Sequence, residues 1–106
     1  MKIICSNKQL LQAAIHILEK LNVKELSDDY HLYIKRLPPK HKLKGFIDYP
    51  QISLDQTVDY NIYIKLDDER YVTLAHELVH FKQIVEKGRV CEKEAYKLEK
   101  SLTMTL

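Results

Sequence analysis

Apolar residues recur along this chain with two different periods, and the switches between them divide it into seven elements. Lys2 to Cys5 reads as a short strand. Ser6 or Asn7 can cap a helix, after which Leu10, Leu11, Ala14, Ile15, Leu18 and Leu21 return at the spacing of one helical face. Gln12, His16, Glu19 and Lys20 fall on the polar face, so His16 is expected in solvent and not on a metal. Asn22 to Asp29 is a connection. The period then drops to two: Tyr30, Leu32 and Ile34 alternate with His31, Tyr33 and Lys35, as in a half-buried strand. Pro38-Pro39 ends it, and Lys40 to Gly45 makes a basic turn. A further strand takes Phe46 to Tyr49, with Pro50 expected to stop it. The clearest alternation sets Tyr60, Ile62, Ile64 and Leu66 against Asn61, Tyr63 and Lys65.

The period lengthens again after Asp67 and Asp68, either of which can cap a helix, with Glu69 adding negative charge to its first turn. Tyr71, Leu74, Ala75, Leu78 and Val85 define the face toward the core, and Phe81 with Ile84 makes the rest of the helix apolar too. A helix of that kind belongs at the centre of a domain, under a sheet. Gly88 is placed to end it. The last helix runs from about Val90 to Leu102 on a stripe of Cys91, Ala95, Leu98 and Leu102. The order β-α-β-β-β-α-α predicts an α+β fold. About four strands form a small mixed sheet, and an N-terminal, a central and a C-terminal helix pack on one side. No repeat or linker breaks residues 1–106, so one domain is expected.

Composition narrows the class. A chain of 106 residues can bury one core, and 45% hydrophobic with 30% charged residues is the balance of an ordinary globule. The net charge is only +2, with lysines interleaved among acids, which argues against a nucleic-acid partner. No run approaches the ~18 apolar residues of a membrane span, and residues 1–7 are too short for a secretory signal. A cytoplasmic monomer with no membrane partner is the expectation. Cys5 and Cys91 have no metal-type spacing and read as free thiols.

Candidate chemistry concentrates in the central helix at His76-Glu77-Leu78-Val79-His80. Residues four apart lie about one turn apart on the same helical face, so two imidazoles can share one tetrahedral ion at ~2.0–2.1 Å. The glutamate between them is placed to take the proton of a water that the metal activates. A catalytic zinc usually has three protein ligands. No histidine follows His80, and the extended pattern with glycine at 83 and histidine at 86 is absent, since Gln83 and Glu86 stand there. The third ligand must then come from the last helix, which offers Glu92, Glu94 and Glu99. Spacing alone leaves all three open, with Glu94 and Glu99 each about 70° and Glu92 about 90° from the apolar stripe. Cys91, at the stripe's centre, is expected to pack into the core.

The run His76-Glu77-Leu78-Val79-His80-Phe81-Lys82-Gln83, followed by Glu92-Lys93-Glu94-Ala95-Tyr96, resembles the gluzincin metallopeptidases. The likeness is to their minimal phage and bacterial forms, compact relatives of the thermolysin core and of regulatory peptidases that cut phage repressors. It is specific over residues 68–100. In that family the third ligand is a glutamate, often followed by alanine, so the resemblance implies Glu94 beside His76 and His80, with Glu77 as general base. Thermolysin-like enzymes carry an aspartate four residues beyond that glutamate, and this chain has Leu98 there. The resemblance thus implies a zincin-like domain that hydrolyses peptide bonds with Zn²⁺ and Glu77. Tyr96 is a candidate donor to the developing oxyanion. The substrate would be a peptide or protein, which could add to the Tyr60–Leu66 strand, expected as the sheet's exposed edge. Two alternatives remain: a zinc-binding interaction module without catalysis, and a regulatory peptidase with one dedicated protein target.

Overall fold

A computed structural model describes residues 1–104 and 106 of the chain. Strand β1 (Lys2–Cys5) leads into helix α1 (Lys8–Leu21), then strands β2 (Tyr30–Leu37), β3 (Gly45–Ile52) and β4 (Val58–Lys65), and finally helices α2 (Arg70–Lys87) and α3 (Glu92–Thr103). The fold is α+β: one four-stranded mixed sheet, ordered β1-β2-β4-β3, and three helices that share its core. β1 pairs parallel to β2 and β2 parallel to β4, whereas β3 runs antiparallel to β4.

Local chemistry explains most of the boundaries. Asn7 caps α1 by accepting the Leu10 N–H on its side-chain oxygen at 3.0 Å, and Asn22 ends the helix in the left-handed region at φ 52°. The buried stripe of α1 is Leu10, Ala13, Ala14, Ile17, Leu18 and Leu21. Ile15, expected on it, is 43% exposed, because the stripe follows Ala13 and Ile17 instead. At the start of α2, Asp67 accepts the Glu69 N–H at 2.9 Å, forming a turn ahead of the helix, and neither aspartate is its N-cap. Gly88 ends α2 at φ 72°, as its position predicted.

Two expectations about the sheet are corrected. Pro50 does not stop β3, which continues to Ile52. The register shifts between Asp48 and Gln51, and a bulged edge strand can hold a proline because it spares the missing N–H. The strand containing Tyr60 to Lys65 is not an edge. It lies between β2 and β3, paired along both sides, and the free edge on that flank belongs to β3. On its inner face Tyr60, Ile62 and Ile64 meet the helices as a solid apolar row, and Phe81 of α2 meets the Tyr60 ring edge-on at 4.9 Å.

α2 runs beneath β4 and β3 with α1 and α3 beside it. Ten of its residues between Leu74 and Ile84 are buried. Four of those ten are polar: His76, Glu77, His80 and Gln83. Burying four polar side chains on one helix costs several kcal/mol unless each has a partner. The partners of His76, His80 and Gln83 define the site, with Glu77 buried beside them.

Candidate metal centre

His76 and His80 stand one turn apart on α2, with ring centroids 4.7 Å apart and planes nearly perpendicular. α2 and α3 are joined by a short turn at Gly88 and pack closely side by side. That return brings Glu92, in the first turn of α3, against both imidazoles. One Glu92 oxygen lies 3.4 Å from His76 Nε2 and in direct contact with His80 Nε2. The same group of three offers ligand atoms all within 4.8 Å of one another.

The other ring nitrogens are already engaged. His76 Nδ1 lies 2.7 Å from a Glu99 carboxylate oxygen, and His80 Nδ1 lies 2.8 Å from the Gln83 side-chain oxygen. An ionised carboxylate and an amide oxygen can only accept, so each Nδ1 carries the hydrogen and donates it. In the neutral ring, the form that binds a metal, each Nε2 then carries the lone pair. With both imidazoles neutral, two lone pairs and a carboxylate oxygen converge, an arrangement that one shared cation satisfies, whereas a proton on His80 would satisfy only its own contact with Glu92. Ligands on a tetrahedral zinc at ~2.0–2.1 Å sit about 3.3 Å apart, close to the His76–Glu92 spacing. Outer hydrogen bonds on both Nδ1 atoms are also the usual way a protein orients metal-binding imidazoles. By spacing and by donor chemistry the set fits a divalent ion. Among the described residues, no fourth His, Cys, Asp or Glu joins the group.

Glu94, the ligand implied by the family resemblance, is elsewhere. Its carboxylate accepts the Gln83 amide N–H at 2.9 Å, and Glu92 occupies the place expected for it. The difference comes from the phase of α3. The expected stripe was centred through Cys91 and Leu98, but Cys91 precedes the helix and is exposed, and Leu98 is only half-buried. The buried residues are Ala95 and Leu102, and Glu92 and Glu99 fall three before and four after Ala95, on the same face. The spacing 92-95-99-102 was legible in the sequence once Ala95 was taken as the contact centre. Glu99, a partner for His76 that spacing alone did not single out, follows from the same face.

Glu77 lies beside the two histidines, 6% exposed and lining the same cleft. Burial pushes its carboxyl above the ordinary value of 4.5, while the neighbouring imidazoles pull the other way and the Glu92 and Glu99 carboxylates push up again. A raised carboxyl suits a group that must take up a proton and return it. Tyr96 packs its ring on His76, centroids 4.7 Å apart, and is 64% exposed at the cleft wall.

The cleft has a volume of about 530 Å³. His76, Glu77, His80, Glu92 and Tyr96 line one side, and Gly45 to Ile47 with Tyr49 of β3 line the other. The cluster therefore opens onto the free edge of the sheet. No helix among the described residues is long and apolar enough to cross a membrane. No family model, curated protein or solved structure matches the chain.

Proposed function

We propose that this chain is a metal-dependent peptidase, in which His76, His80 and Glu92 hold one divalent cation and Glu77 moves the proton. The observation that carries the reading is the convergence of two imidazole Nε2 atoms and a carboxylate oxygen, with both Nδ1 atoms engaged by acceptors, beside a buried carboxyl and an open cleft. Zinc is the expected ion, since two imidazoles and a carboxylate with an open position match its catalytic sites. Bound there, it would polarise a carbonyl and acidify a water.

The rest falls to the chain's own residues. Glu77 takes the proton from the water as its oxygen attacks the carbonyl carbon. It then delivers that proton to the amine nitrogen as the C–N bond breaks. Tyr96, on the wall beside His76, supplies a hydroxyl to the oxyanion that forms between these events. The free edge of β3 offers backbone N–H and C=O groups for an extended peptide lying in the cleft. This replaces β4 as the docking strand. A three-ligand set favours catalysis over a closed structural site, which would recruit a fourth protein ligand.

The test loads the protein with zinc, incubates it with an unfolded protein and a mixed peptide pool, and reads the products by mass spectrometry. New termini are expected with zinc, and none with chelator or with Glu77→Gln. Equal cleavage by Glu77→Gln would overturn the mechanism. No cleavage of any peptide by a zinc-loaded wild type would favour the interaction-module alternative.

A further inference from the structure

Gln83 is 3% exposed and uses every hydrogen-bonding position it has. Its oxygen accepts the His80 Nδ1–H at 2.8 Å and the Cys91 backbone N–H at 2.9 Å. Its nitrogen donates to the Cys91 carbonyl at 3.0 Å and to Glu94 at 2.9 Å. Two donors and two acceptors are the full capacity of an amide, so nothing is left over. Two of the four partners are the backbone N–H and C=O of a single residue, and these cannot exchange roles. They force the amide oxygen toward the Cys91 N–H, and therefore toward His80. Facing an oxygen, His80 Nδ1 must carry its hydrogen. A flipped amide would present N–H to a nitrogen that then needs a lone pair, and would face Cys91 with like groups on both sides.

Cys91 is also the N-cap residue of α3, directly before Glu92. One side chain on α2 thus holds both the imidazole's tautomer and the point where α3 begins. We propose that Gln83 is a positioning residue that fixes His80 in its Nδ1–H form and sets Glu92 against the two Nε2 atoms, so that metal affinity depends on a group that never touches the metal. Glu94 orients the amide from outside, which gives the family-implied glutamate a different task. The proposal deepens the metal reading above and depends on it only in its second half, because the tautomer exists without an ion.

The test therefore begins on metal-free protein. Long-range ¹H–¹⁵N correlation spectra separate the protonated from the bare nitrogen of each imidazole. Wild type is expected to show His80 protonated at Nδ1 and bare at Nε2, and Gln83→Leu to lose that preference. In a zinc competition assay, Gln83→Leu is expected to bind 10–100-fold more weakly, the range for loss of an outer hydrogen bond to a ligand. Glu94→Gln, which keeps an oxygen toward the amide, is expected to stay within about threefold. Gln83→Glu keeps the oxygen for His80 but sets a second acceptor against the Cys91 carbonyl and Glu94. It should retain the Nδ1–H tautomer and still lose at least tenfold in zinc affinity, through Glu92. A wild-type His80 protonated at Nε2 and bare at Nδ1 would overturn the proposal even if Gln83→Leu failed to fold. Unchanged zinc affinity in both Gln83 variants would overturn it as well. A wild type with the expected tautomer but no zinc binding would defeat the metal reading and leave the tautomer lock standing.

Discussion

Removing Glu92 and removing Glu94 separate the geometry of this site from the family pattern, because the two residues, only two positions apart in sequence, lie on different faces of α3. Glu92 contacts both imidazole Nε2 atoms, whereas Glu94 accepts a hydrogen bond from the Gln83 amide. Four-ligand structural zinc sites bind with roughly 10–16 kcal/mol, or about 3 kcal/mol for each ligand. Loss of one ligand from a set of three should therefore cost on the order of 100-fold in affinity. The Glu92 side chain is 58% exposed, so Glu92→Ala opens no cavity in the apolar core and the metal-free fold should survive. Glu94→Ala deletes one hydrogen bond near the surface, a change of about 1 kcal/mol in stability and only a few-fold in metal affinity. Isothermal titration of zinc into the two metal-free variants, with the fold checked by circular dichroism, measures the difference. If Glu94→Ala is the variant that loses zinc while Glu92→Ala keeps it, the placement of α3 against α2 described above is wrong.

Glu77→Gln should stabilise the metal-free protein at neutral pH. Burial holds the Glu77 carboxyl above 4.5 in the fold, so the folded state binds the extra proton and stability falls as pH rises from 4.5 through the raised value. The gain from the variant, read as melting temperature, should vanish in acid below 4.5, and a gain equal at all pH values would contradict it. Glu99→Leu removes the acceptor of His76 Nδ1–H and should weaken zinc by 10–100-fold, measured by the same titration. Gly45→Ala would place a methyl 2.6 Å from Thr73 Cγ2 and 2.8 Å from the Tyr63 carbonyl, so β3 must move off α2. A loss of about 1–3 kcal/mol in denaturant unfolding is expected, with peptide KM raised more than kcat is lowered. Phe81→Ala empties a fully buried ring site against Tyr60 and should cost about 3–5 kcal/mol in the same unfolding assay.

The elements were legible because their signals are local. Alternation found β2 and β4, Asn7 and Gly88 bracketed helices at the expected places, and the apolar surround of α2 foretold its burial. Strand order was not legible. Tyr60 to Lys65 alternates as an edge strand would, but which neighbour covers it is decided by β3 folding back outside it, a non-local fact. Pro50 misled because a proline reads as a stop until the strand is known to lie on an edge. At the site, His76, Glu77 and His80 come from one helix, so their mutual geometry follows from helical spacing alone. Glu92 comes from a second helix whose rotation depends on packing, and a stripe anchored on exposed Cys91 set that rotation wrongly. Gln83 left no signal of its own, since a glutamine on a helix is ordinary until its four partners are seen.

The most direct test is a crystal of the zinc-loaded protein with anomalous data collected on either side of the zinc edge. A single site is expected, bound by His76 Nε2, His80 Nε2 and a Glu92 oxygen, with the remaining position facing the cleft and taken by solvent. A zinc site closed by four protein side chains, one completed by Glu94 in place of Glu92, or no zinc between the two histidines would contradict the account.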